Sequence, residues 1–203
     1  MPVTSAVCRV LAMGAVAAAL FAGSSGAVAV PAPAVVAGAA TGSYGQLRPL
    51  AELSARRLAA ADLVAAAKYG TGSPIDDPAR EKQVLEAVAR QARESGGDPE
   101  ATVRIFRDQI EANKVVQREL FRRWDADPSR APKERPDLAE VREEINRING
   151  GLVRGIAASA GARTAPYCGG VLTAAAAHTR HADRLDALHT LALGRALRSV
   201  CAG

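Results

Sequence analysis

Aromatic residues are scarce in this chain, which has one Trp, three Tyr and three Phe among 203 residues. It also lacks runs in which β-branched or aromatic residues recur at every second position, so β-strands are poorly supported. Alanine, the strongest helix former, is abundant instead. Composition and length therefore predict an all-α fold with one domain, preceded by an N-terminal signal.

Charge of one sign is not concentrated anywhere along the chain. The formal net charge is +5, and the Lys and Arg residues are interleaved with Asp and Glu. No aromatic residues stand beside the basic ones as a surface on which bases could stack. This pattern argues against nucleic-acid binding and against a basic helical module for acidic surfaces.

The N-terminal part has almost no charge, since Arg9 is the only charged residue before Arg48. Residues 10–22 form an apolar run of the length found in signal peptides, and residues 27–29 (Ala-Val-Ala) form a small-residue cleavage motif. We therefore expect an exported protein, periplasmic or secreted, with a signal peptide over residues 1–29. The alternative is a transmembrane anchor, for which the apolar run is short.

The segment that follows the signal, residues 30–45, is rich in Ala, Pro and Gly and carries no charge. We expect a flexible leader there. The folded domain is expected over residues 46–203, and after removal of the signal we expect no further association with a membrane.

Cysteine usage agrees with export. Removal of the signal removes Cys8, which precedes the apolar run and so does not fit a lipoprotein site, and leaves Cys168 and Cys201. An even pair in an oxidising compartment predicts a disulfide, although two unpaired buried thiols are the alternative. The bond would join the two ends of a C-terminal extension over residues 164–203.

Four longer helices are predicted, followed by one or two short ones in the extension. Aspartate–proline pairs, typical of an N-cap and a first helical residue, mark two of the starts. The predicted helices begin at Pro49, Asp77-Pro78, Asp98-Pro99 and Pro136-Asp137, and the first ends near Tyr69.

Polar residues interrupt the apolar faces of these helices where a dry core is expected. They are Arg57 and Lys68 on the first helix, Asn113 and Gln117 on the third, and Arg142 at the edge of the fourth. Arg57 is preferred to Arg56 because eleven residues make about three turns, which places residues 57 and 68 on one face. Internal pairing with acids such as Asp62 or Glu81 is one explanation. However, cations outnumber acids on these faces, and a buried excess of positive charge favours an anionic ligand.

The same positions carry a resemblance to a known family. The runs RLAAADLVAAAKY (57–69), PIDDPAREKQV (74–84), FRDQIEANKVVQ (106–117) and PDLAEVR (136–142) resemble the all-helical chorismate mutases. The C-terminal extension with its cysteine pair and the export signal are similar to the secreted subclass. The resemblance covers residues 46–201.

The resemblance implies an isomerase that converts chorismate to prephenate by an intramolecular Claisen-type shift, and a homodimer with each site built inside one chain. Such a shift needs no nucleophile, metal or organic cofactor. The enzyme positions a compact conformer and stabilises the charge that develops on the breaking ether. Cations and neutral donors suit that task.

The resemblance also implies roles for single residues. Arg57 and Arg142 match arginines that bind the substrate carboxylates, for which a guanidinium offers two parallel donors. Lys68 and Gln117 match the donors to the ether oxygen. Asn113 stands where a hydroxyl residue is more usual, and its amide can donate to a carboxylate in the same way.

Three acidic or basic residues near the second helix complete the expected site. Arg80 matches an active-site arginine, and Glu81 is expected to take the substrate hydroxyl. Asp77 either assists there or only caps the helix, and the cap is the preferred interpretation.

Two features outside this set were considered. His178 and His181 share a helical face near Asp183 and Asp186, but surface histidines are commoner than metal sites, so no metal is expected. Lys114 and Arg118 follow the amides of the third helix and are expected to face solvent. The competing function is a non-catalytic exported protein of the same fold that binds an anion or a partner protein.

The signal peptide predicts a mature protein that begins near Val30. Intact-mass analysis of protein recovered from an exporting host should give that start. Ala29→Leu should block processing, because the cleavage motif needs a small residue at its end. Recovery of the exported, unmutated protein with residues 1–29 still attached would contradict the prediction.

Overall fold

The protein is all-helical over residues 34–201, the part that the computed structural model describes. The α-helices within that range are α1 (Ala34–Lys68), α2 (Pro78–Glu94), α3 (Pro99–Ala126), α4 (Leu138–Ala158), α5 (Ala160–Thr164), α6 (Cys168–Ala182) and α7 (Ala187–Ala196), with a 3-10 turn at Pro128–Arg130. The all-α prediction is confirmed. The expected signal peptide lies outside the described residues, and no helix of residues 34–201 has the length and apolar character needed to cross a membrane.

The first helix starts earlier than expected. The predicted start at Pro49 was wrong, since α1 is helical from Ala34, within the segment expected to be a leader, and contains Pro49. Proline inside a helix removes a hydrogen bond and costs about 3 kcal/mol. Leu47, Leu50 and Ala51 are nearly fully buried on both sides of the proline, and Tyr44 packs against the same core. Burial of this apolar stripe offsets the cost and keeps the helix continuous.

Aspartate caps fix the starts of the next three long helices as predicted. Asp77 accepts a hydrogen bond from the backbone N–H of Arg80 at 3.0 Å. Asp98 and Asp137 cap α3 and α4 through the backbone N–H groups two residues further along. These caps satisfy N–H groups that have no partner within the helix. Asp77 therefore serves as a cap, the preferred interpretation.

The central helix is α1, which packs against α3, α4, α6 and α7. Its contact with α4 depends on Gly155, because a Cβ there would lie 2.8 Å from Leu50 Cδ2. Leu50 is almost fully buried. The missing side chain thus lets the two helices approach closely enough to share one core.

The C-terminal extension is closed by the predicted disulfide. Cys168 at the start of α6 and Cys201 after α7 are bonded, with their Cα atoms 5.9 Å apart. Buried Arg163 supports the same junction by donating from Nε to the Val200 carbonyl at 2.9 Å. The extension packs Leu172, Leu188, Leu193 and Leu197 into the main core and places α7 against α3 and α1.

A histidine connects α7 to α1. His189 Nε2 lies 3.1 Å from Asp62 Oδ1, and His189 Nδ1 lies 2.7 Å from Asp186 Oδ1. The hydrogen bond to Asp62 raises the pKa of His189 to about 9, against the opposing effect of burial and together with the bond to Asp186. The protonated His189 therefore pairs with two carboxylates, that of Asp62 on α1 and that of Asp186 at the start of α7.

This ion-pair cluster predicts a pH-dependent stability. Because the folded-state pKa is raised, the stabilisation is complete below pH 6.5, the ordinary pKa of the group, and is lost as pH rises through about 9. His189→Gln should therefore lower the free energy of unfolding at pH 6, with a difference from the unmutated protein that shrinks toward pH 9.5. Denaturant unfolding across pH measures it, with exposed His181→Gln as the control. A pH-independent difference would contradict the prediction.

Candidate active site

One cavity gathers all eight side chains that sequence reasoning assigned to the site. It lies between α1, α2, α3 and α4 and encloses about 660 Å³ of space, part of it open to solvent. The lining residues are Arg57, Lys68, Asp77, Arg80, Glu81, Asn113, Gln117 and Arg142, together with Lys114 and the apolar residues Val64, Ile75, Val84, Ile110 and Ile145.

Helix α1 supplies two of the cations from one face. Arg57 and Lys68 are both buried, as their separation of three turns predicts. The neighbouring Arg56 is exposed instead and pairs with Glu144 on α4 at 3.1 Å. Arg57, and not Arg56, therefore faces the cavity, as the helical spacing predicts.

Arg57 is a buried cation held by neutral groups. Its side chain is 4% exposed. Nε donates to Asn149 Oδ1 at 3.0 Å, and NH1 donates to the Gln109 carbonyl at 2.9 Å. Burial lowers its pKa to about 10, so it stays charged at neutral pH. Within residues 34–201 it forms no ion pair, and three of its five N–H donors remain for a ligand.

Lys68 lies at the last residue of α1, beside the loop to α2. Its Nζ donates to the Pro74 carbonyl at 2.7 Å. Burial lowers its pKa, the negative charge of Asp77 raises it, and the positive charge of Arg142 lowers it. An ammonium group carries three donors, so two remain after the bond to Pro74.

The two amides of α3 are buried as predicted and are incompletely bonded. Asn113 Nδ2 donates to the Arg57 carbonyl at 3.4 Å, and Gln117 Nε2 donates to the Asn113 carbonyl at 3.3 Å. Both bonds are long, and the side-chain oxygens Oδ1 of Asn113 and Oε1 of Gln117 have no hydrogen-bond partner. Each NH₂ group also keeps a second hydrogen. Buried polar groups in this condition favour a polar ligand beside them.

The cavity carries an excess of positive charge. Five cationic side chains line it, against the carboxylates of Asp77 and Glu81. Arg142 is half-buried on α4 and forms no ion pair with any residue of the described range. Its positive charge repels that of Lys68. Arg80 donates from NH1 to the neutral Gln83 Oε1 at 3.4 Å and forms no ion pair with the residues that the structure describes. An anion in the cavity would relieve this repulsion.

Lys114 does not face solvent, contrary to the expectation for this residue. It is buried and lines the cavity, and it pairs with Glu111 on its own helix, with Glu81 on α2 at 3.1 Å and with Asp76 at 3.2 Å. Although burial opposes it, the bonds to these acids raise its pKa. The lysine thus holds Glu81 in place. Arg118 is exposed, as expected, and binds Asp76.

The sequence did not lead us to two buried polar residues that support Arg57, Gln109 and Asn149. Gln109, fully buried, donates from Nε2 to Ser54 Oγ at 2.7 Å and to the Ala196 carbonyl at 3.1 Å. Asn149, also buried, accepts from Arg57. Helix α3 buries a second stripe that includes Gln109, beside the one that was read from the sequence. An Asn or Gln inside an apolar helical face was the available signal.

Metal ligands do not cluster in residues 34–201, where no group of three or more His, Cys, Asp or Glu side chains lies close enough to hold an ion. His178 and His181 are exposed on α6. The polar groups of the cavity itself are cations, neutral amides and two carboxylates already engaged in a helix cap and an ion pair.

Comparison with known proteins points to one family. Residues 48–118 match the family model described as chorismate mutase type II. The chain is 38% identical to the secreted chorismate mutase of Mycolicibacterium smegmatis over 76% of this chain and 86% of that protein. It is 35% identical to the secreted chorismate mutase of Mycobacterium tuberculosis over 77% of this chain and 78% of that protein.

A solved structure agrees with these relatives. The crystal structure of chorismate mutase from Burkholderia phymatum superposes with a TM-score of 0.74 at 34% identity, covering 79% of this chain and 99% of that one. The likeness therefore includes the C-terminal half as well as the segment that the family model matches.

Proposed function

The chain belongs to the secreted chorismate mutases, exported enzymes that convert chorismate to prephenate, and we propose that the cavity between α1, α2, α3 and α4 is where this rearrangement occurs. One observation carries the assignment of the site. Arg57 and Arg142 reach the cavity as cations without a carboxylate partner in the described chain. A dicarboxylate such as chorismate supplies the missing counter-charges.

We assign the binding of the substrate carboxylates to Arg57 and Arg142. Arg57 enters from α1 and Arg142 from α4, so the two guanidinium groups approach the cavity from different helices. Each presents planar donors that match a carboxylate. Asn113 supports a carboxylate through its amide hydrogens. With both ends bound, the substrate is held in the compact conformer from which the new carbon–carbon bond forms.

We assign the stabilisation of the transition state to Lys68 and Gln117. As the ether bond breaks, negative charge grows on its oxygen, and fixed donors in a dry cavity stabilise that charge without having to reorient. Lys68 keeps two free N–H groups and Gln117 keeps one. The apolar residues Val64, Ile110 and Ile145 line the remaining wall of the cavity.

The substrate hydroxyl is assigned to Glu81. The ion pair with Lys114 fixes its carboxylate at the cavity wall, where a carboxylate oxygen can accept a hydrogen bond from the hydroxyl. Arg80, one residue earlier on α2, is the third arginine that lines the cavity, after Arg57 and Arg142.

The assembly is also part of the proposal. We propose the homodimer that the family resemblance implies, with one complete cavity in each protomer. All eight assigned residues come from a single chain, which supports a site that does not borrow residues from a partner.

Loss of either ether-oxygen donor should slow the chemical step. Lys68→Ala and Gln117→Ala should each lower kcat by roughly 100- to 1,000-fold, with a smaller effect on KM, because the donors act on charge that exists only in the transition state. Initial rates of chorismate loss measure both constants, with exposed Lys82→Ala as the control. Near-normal kcat in folded variants would place the site elsewhere.

The neutral amide at position 117 should make activity insensitive to pH. In Gln117→Glu only the protonated acid can donate, so kcat should fall as pH rises through the pKa of the introduced carboxyl. The unmutated protein should show no such fall, and neither should Gln91→Glu, which places the same carboxyl on the exposed side of α2. Parallel pH profiles for the two position-117 forms would refute the donor role of Gln117.

A further inference from the structure

Asn149 is the side chain that orients the buried guanidinium of Arg57. It lies on α4, is 4% exposed, and its Oδ1 accepts the Arg57 Nε hydrogen at 3.0 Å. The Gln109 carbonyl accepts from NH1 at 2.9 Å. Two neutral oxygens on two different helices thus fix the orientation of the guanidinium plane, and the residue itself lines the cavity.

The acceptor for Arg57 Nε is the neutral amide oxygen of Asn149 and not a carboxylate. The usual partner of a buried arginine is a carboxylate, since burying an unpaired charge is costly. An aspartate would fit the position of Asn149 with the same shape. It would also neutralise Arg57 inside the protein and weaken its attraction for a second carboxylate.

We propose that Asn149 is a positioning residue, which orients Arg57 through a neutral oxygen so that the full positive charge remains available to a substrate carboxylate. The inference rests on the proposed function, in which Arg57 binds a carboxylate of chorismate. It assigns to Asn149 control over substrate affinity without any contact with the reacting atoms.

Substrate affinity and protein stability should therefore respond in opposite directions to one isosteric change. Asn149→Asp gives the buried cation a counter-charge, so the unfolding temperature should equal or exceed that of the unmutated protein. The same change should raise KM for chorismate roughly tenfold or more, with a smaller effect on kcat, because the carboxylate contact is already present in the bound substrate. A purely structural role predicts instead that activity and stability fall together.

Two controls isolate the electrostatic effect. Asn146→Asp adds the same charge to an exposed residue of α4, about one turn away, and should leave KM within about twofold of the unmutated value. In an Arg57→Ala background, Asn149→Asp should produce no further rise in KM, because the charge that it neutralises has been removed.

The outcomes separate this inference from the function on which it rests. If the unmutated protein converts chorismate and Arg57→Ala raises KM, but Asn149→Asp behaves like Asn146→Asp, the inference is overturned and the function stands. If the unmutated protein leaves chorismate unchanged, the proposed function itself fails.

A second variant keeps the test decisive if Asn149→Asp does not fold. Asn149→Ala removes the acceptor without adding charge, so Arg57 loses its fixed orientation. KM should then rise in the unmutated background and not in the Arg57→Ala background. Equal effects in the two backgrounds would overturn the inference.

Discussion

The structure depends on a positive charge buried at the meeting point of three helices. Arg57 on α1 is held by the Gln109 carbonyl on α3 and by Asn149 on α4, and it has no carboxylate partner in the described chain. Burial lowers the pKa of the guanidinium to about 10, yet it remains protonated at neutral pH. Residues 34–201 therefore leave this charge without a counter-charge, which under the proposed function a substrate carboxylate would supply.

The C-terminal extension is connected to Arg57 through hydrogen bonds of Gln109. Gln109, whose backbone carbonyl accepts from Arg57, donates through its side chain to Ser54 on α1 and to the Ala196 carbonyl at the end of α7. The disulfide joins Cys201, which follows α7, to the start of α6. The disulfide thus fixes the segment that follows α7, and the Ala196 carbonyl at the end of α7 accepts from Gln109, the residue whose own carbonyl holds Arg57.

Helical spacing and the family resemblance together predicted the wall of the cavity but not its supports. Polar residues at apolar positions identified Arg57, Lys68, Asn113 and Gln117, because a single helix shows which side chains leave the same face. Spacing within one helix does not show which neighbouring helix that face meets. The inward position of Lys114 depends on acids from other segments. The continuation of α1 through Pro49 likewise depends on burial against the rest of the core, which overrides the local preference of proline.

The central claim is that the unpaired charge of Arg57 binds a carboxylate of chorismate. Its most direct test compares initial rates of prephenate formation by the folded, disulfide-bonded mature protein and by Arg57→Ala over a wide range of chorismate concentrations. We expect turnover by the unmutated protein and a strongly raised KM in the variant. An unchanged KM in a folded Arg57→Ala protein, or no prephenate from the unmutated one, would contradict it.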